Sequence, residues 1–118
     1  MYGLPKDLDL SVFINKEIEE ITFTVNTIVF CFGIGLSITT ESIVEFFYLK
    51  DGSCCCVEPP VESSNLMMLL GKKIVNAIAN PNGKLELAFD DGMKLGFLDD
   101  SSQYESYRIN IDGKEIVV

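Results

Sequence analysis

The sequence predicts an α+β domain, rich in antiparallel sheet, built from two similar halves with a short linking helix. Three observations carry this reading. Four Asx-Gly pairs, Asp51-Gly52, Asn82-Gly83, Asp91-Gly92 and Asp112-Gly113, punctuate 118 residues, and such pairs supply the left-handed backbone that tight hairpins require. Between them apolar residues recur at every second position, as in Leu85, Leu87 and Phe89. The chain also aligns with itself. Asn15-Lys16-Glu17-Ile18 lies on Gly71-Lys72-Lys73-Ile74, and Ile28, Phe30, Phe32, Gly35, Leu36 and Ile38 fall on Leu85, Leu87, Phe89, Gly92, Met93 and Leu95. The copies span approximately 5–58 and 61–118 of a single domain.

Ile21 to Thr40 carries no charge over twenty residues, long enough in principle for a membrane span. Its threonines alternate with apolar residues and Gly33 and Gly35 interrupt it, so it reads as paired strands. In the second copy, Ser63 or Ser64 is a candidate N-cap, Leu66, Met67, Leu69 and Leu70 form an apolar helical face, and Gly71 is a stop. The spacing predicts a helix over Glu62 to Leu70. Strands follow at Lys72 to Asn80, Lys84 to Asp90 and Lys94 to Phe97, then Tyr104 to Ile111 and Glu115 to Val118. Lys84, Glu86 and Lys94 alternate with the core and are expected to face water. Their counterparts Thr27, Val29 and Ser37, with Cys31 nearby, are uncharged. That N-terminal face therefore needs a cover from a helix of this chain, the other repeat or a second protomer, and the last would make a homodimer through Val29 and Cys31.

Eighteen acidic residues against nine basic ones give a net charge of −9, a field that repels nucleic acid and anionic lipid. No nucleic-acid or membrane partner is expected. The absence of histidine removes imidazole bases, Ser-His-Asp triads and histidine metal ligands. The N-terminus MYGLPKDLDL lacks the pattern of a secretion signal, which points to the cytoplasm. Cys54, Cys55 and Cys56 are adjacent, and adjacent strand residues point to opposite faces, so three in a row offer no common tetrahedral site to zinc. Neither a metal nor another cofactor is expected. Gly33-Ile34-Gly35 lacks the lysine and following helix of a phosphate loop.

Carboxylate pairs at Asp90-Asp91 and Asp99-Asp100, with Glu17, Glu19 and Glu20, are the remaining chemical groups of note. Adjacency in a turn favours local backbone bonding over catalysis, and no enzymatic activity is expected. The segment from Ser101 to Tyr107 mixes tyrosines, hydroxyls and an acid, a composition suited to protein contact.

Leu69-Leu70-Gly71-Lys72-Lys73-Ile74, then Asn82-Gly83-Lys84-Leu85-Glu86-Leu87-Ala88-Phe89-Asp90-Asp91-Gly92-Met93-Lys94-Leu95, then Tyr104-Glu105-Ser106-Tyr107-Arg108-Ile109 resembles a family of small bacterial proteins. Some of its members look like immunity proteins of polymorphic toxin systems. The resemblance implies a binder that neutralises a cognate antibacterial toxin by protein contact. An acidic partner suits a basic toxin cleft. The candidate contact residues are Asp90, Asp91, Asp99, Asp100, Tyr104, Glu105 and Tyr107, with Glu17, Glu19 and Glu20 as a second acidic patch. The alternatives are a small-molecule-binding module and a self-associating structural protein.

Overall fold

Ten short antiparallel strands form two five-stranded sheets in the computed structural model, which describes residues 8–47, 54–61, 64–99 and 106–118. In chain order they are β1 (Glu20–Phe23), β2 (Ile28–Cys31), β3 (Leu36–Thr40), β4 (Val44–Phe47), β5 (Cys54–Val57), β6 (Ile74–Ala79), β7 (Leu85–Phe89), β8 (Lys94–Phe97), β9 (Tyr107–Ile111) and β10 (Lys114–Val117). One sheet has the order β1-β2-β3-β9-β10 and the other β6-β7-β8-β4-β5. The uncharged stretch from Ile21 to Thr40 thus pairs as strands, and among the described residues no helix is long and apolar enough to cross a membrane.

Alternation dictates which side each residue takes. Ile28 and Phe30 of β2, Leu36 and Ile38 of β3, Leu85, Leu87 and Phe89 of β7, and Leu95 and Phe97 of β8 point inward and are buried. The inner faces meet across the core, where Phe30 stands edge-on to Phe97 with ring centroids 5.2 Å apart. The chain crosses between sheets after β3 and again between β8 and β9. Backbone bonds tie these crossings together, from Glu41 N–H to the Ser106 carbonyl at 3.1 Å and from Leu98 N–H to the Ile43 carbonyl at 3.2 Å.

The expected helix is replaced. Glu62 and Ser63 lie outside the described residues, and the segment that follows is a single 3-10 turn, Leu66–Leu69. Ser64 Oγ accepts the Leu66 N–H at 3.0 Å. The reason lies in the spacing, because Leu66 and Leu69 are three apart, superimpose in a 3-10 turn and are both fully buried. Met67, Met68 and Leu70 stay exposed, so a longer helix would gain no further burial. A second 3-10 turn, Leu10–Phe13, is capped by Asp9, whose carboxylate accepts the Ser11 N–H and buries Phe13 in the same way. After the two turns, Asn15–Ile18 and Leu70–Ile74 run alongside each other, with Asn15 N–H bonded to the Ile74 carbonyl and Gly71 N–H to that of Ile18.

Candidate functional site

The acidic candidates divide between opposite ends of the sandwich. Asp90 and Asp91 form the β7–β8 turn, where Asp91 Oδ1 accepts the Met93 N–H at 3.0 Å and Oδ2 lies 3.2 Å from Lys72 Nζ. Asp90 N–H donates to the carbonyl of Lys73, and the backbone of Lys73 in turn pairs antiparallel with that of Glu17. Ile18 turns into the core, which leaves Glu17 and Glu19 on the outside. Glu19 Oε2 lies against Gly33, where an added Cβ would approach it to 3.0 Å, and Glu20 sits beside Cys31 in register. Burial first, then Glu20 and Glu19, push the Cys31 thiol up from its ordinary value.

Two acidic segments remote in sequence are therefore neighbours through the backbone of Lys73. Backbone pairing at Lys73 sets Glu17 next to Asp90, Lys72 pairs with Asp91, and Glu19 lies against Gly33 in the β2–β3 turn whose tip, Ile34, is 106% exposed.

Asp99 is elsewhere. The four residues of strand β8 lie between it and Asp91 and alone span on the order of 13 Å. It accepts a 2.7 Å hydrogen bond from Ser106 Oγ and packs on Gly83. Tyr107 was expected in the contact surface but is a core residue, 1% exposed, with its ring against Phe97 and its hydroxyl donating to the Gly83 carbonyl. Its place on β9, in step with Ile109 and opposite buried Thr40, turns it inward. Asp100, Tyr104 and Glu105 lie outside the described residues.

The two outer sheet faces differ in chemistry. On the β6-β7-β8-β4-β5 sheet, Lys84 Nζ meets Glu45 at 2.7 Å and Glu86 at 3.7 Å, and Lys94 meets Glu86 at 3.8 Å. Lys84 and Glu86 were expected to face water, yet their side chains are only 17% and 22% exposed, against 51% for Lys94. Gly96 explains this, because a Cβ there would come within 2.8 Å of Lys84 Cε, so its absence lets the lysine stem lie across the sheet to Glu45. The hydrogen bond to Glu45 is the main cause that raises the Lys84 ammonium above its ordinary value.

On the other sheet, registers place Cys31, Ser37 and Asn110 in one row and Val29, Thr39 and Arg108 in the next, all half-buried. Glu20 and Glu115 close the first row at its edges. Among the described residues no three of Cys, Asp and Glu are grouped so as to hold a metal ion.

A scan against protein-family models, a search of curated proteins and a search of solved structures each return no match.

Proposed function

We propose that this chain is an immunity-type binding protein that neutralises a cognate antibacterial toxin by direct contact, without catalysis, and that it acts in the cytoplasm. The observation that supports the reading is the acidic end, where Glu17, Glu19, Glu20, Asp90 and Asp91 converge beside fully exposed Ile34. An apolar anchor in a predominantly acidic rim suits a basic protein surface, with the charges steering encounter and the anchor slowing release. The backbone of Lys73, paired with both Glu17 and Asp90, sets the two acidic segments side by side.

The reading includes a chain of two similar halves. The order β1-β2-β3-β9-β10 becomes β6-β7-β8-β4-β5 when five is added to, or taken from, each strand number. The aligned residues Ile28 and Leu85, Phe30 and Leu87, Phe32 and Phe89, Leu36 and Met93, and Ile38 and Leu95 have equal exposures pair by pair. Asn15 and Gly71, also aligned, both take positive φ, at 67° and 78°.

The test is capture of the tagged chain's partner from its native cytosol, followed by titration of that partner against wild type and a Glu17→Lys/Asp90→Lys/Asp91→Lys variant. The expected result is a stoichiometric partner that kills when expressed alone and is silenced by this chain. The variant should bind at least about tenfold more weakly, with a flatter salt dependence. A partner without toxicity ends the immunity reading, and an unchanged affinity and salt slope remove the contact from this end.

A second reading, self-association through the uncharged rows around Val29 and Cys31, is favoured by the contrast between the two outer faces. It predicts a concentration-dependent dimer in sedimentation that Val29→Glu abolishes.

A further inference from the structure

Strand β5 is an edge strand, and its sequence Cys54-Cys55-Cys56-Val57 gives that edge an unusual chemistry. The register with β4 pairs Cys55 with Phe46, which faces the core, while Cys54 and Cys56 stand opposite Phe47 and Glu45 on the outer side. All three thiols are free and exposed. Being two apart on the strand, Cys54 and Cys56 project to the same side of this edge. Residues two apart on a strand have Cα atoms about 6.6 Å apart, at the upper end of what a disulfide spans without strain. That geometry favours a dithiol in which a third atom sits between the sulfurs.

We propose that Cys54 and Cys56 form an intramolecular site for one soft, thiophilic metal ion of the Cu(I) class. Thiolates select such ions over hard cations, and a closed-shell monovalent ion is satisfied by two roughly collinear sulfurs, so the tetrahedral set that this strand cannot build is not required. Binding forms two metal–sulfur bonds and releases the two thiol protons to solvent, with no change in oxidation state. The neighbouring carboxylate of Glu45 is held by Lys84 at 2.7 Å, which leaves the two sulfurs as the ligand set. Cys55 on the opposite side of the strand stays outside it. The site is independent of the toxin-binding reading.

The experiment is anaerobic competition for Cu(I) between the full chain and a chromogenic chelator, with metal content counted by native mass spectrometry. The wild type should take one Cu(I) per chain. Cys54→Ser and Cys56→Ser should each weaken binding by at least about tenfold, and Cys55→Ser and Cys31→Ser by less than about twofold. All four variants should keep the wild-type circular dichroism, since none of these thiols is in the buried core. Equal weakening by Cys55→Ser, half an ion per chain in a metal-bridged dimer, or failure to withdraw Cu(I) from the chelator would each overturn the assignment.

Discussion

The hydroxyl of Tyr107 on β9 donates a 2.6 Å hydrogen bond to the main-chain carbonyl of Gly83, in the turn before β7. One sheet is thereby fastened to a turn of the other through the core. Because the phenol is buried, its bond has no water to replace it.

Tyr107→Phe keeps the ring and strands the Gly83 carbonyl, so it should destabilise the fold by about 1–2 kcal/mol, read as a lower denaturation midpoint with unchanged m.

Gly83 and Gly71 both have positive φ, at 90° and 78°, but their surroundings differ. A Cβ at Gly83 would lie 2.8 Å from Asp99 Cβ, whereas one at Gly71 meets nothing within 4 Å. Gly71→Ala should cost about 1–2 kcal/mol of backbone strain, and Gly83→Ala should cost at least about 1 kcal/mol more because Asp99 must also move. Paired thermal melts decide it, and equal losses would refute the close packing of Asp99.

The Lys84–Glu45 pair is less than a quarter exposed on either side. A double-mutant cycle with Lys84→Met and Glu45→Gln should give a coupling of about 1 kcal/mol, at the top of the range for surface pairs. In the same cycle Gly96→Ala should reduce the coupling, since the added Cβ obstructs the lysine stem.

Stability should fall in alkali. Burial pushes the Tyr107 phenol well above the ordinary tyrosine range, so above about pH 10 the unfolded chain loses a proton that the folded chain keeps. Lys84, raised chiefly by its bond to Glu45, acts in the same direction, its contribution intact below the ordinary lysine value and lost as pH rises through the folded one. Denaturant titrations from about pH 8 to 11 should show the decline beginning near pH 10. Tyr107→Phe should make it shallower by up to about 1.4 kcal/mol per pH unit.

Much of the sheet was legible in the sequence. The alternation of Leu85, Leu87 and Phe89 names the buried side of β7, and the Asx-Gly pairs at 82–83, 91–92 and 112–113 mark turns because few other residues accept that backbone. The exchange of strands was not, since β4 and β9 carry no local mark of which sheet they join. Their placement follows from long-range pairing with β8 and β3. The pattern of Leu66, Met67, Leu69 and Leu70 fits a helix and a 3-10 turn equally well, so the sequence alone does not separate the two. Tyr107 did carry a signal, its two-residue step to Ile109, but its hydroxyl and polar neighbours suggested surface. That Glu17 and Asp90 meet through Lys73 depends on the pairing of two linkers far apart in sequence.

The lacing of strands between sheets means that a cut between β5 and β6 yields no self-sufficient piece. Each fragment would hold three strands of one sheet and two of the other, with its apolar side open to water. Neither should fold alone, yet the two should associate and restore the sandwich, which makes this fold a natural candidate for a split reporter whose signal requires both fragments.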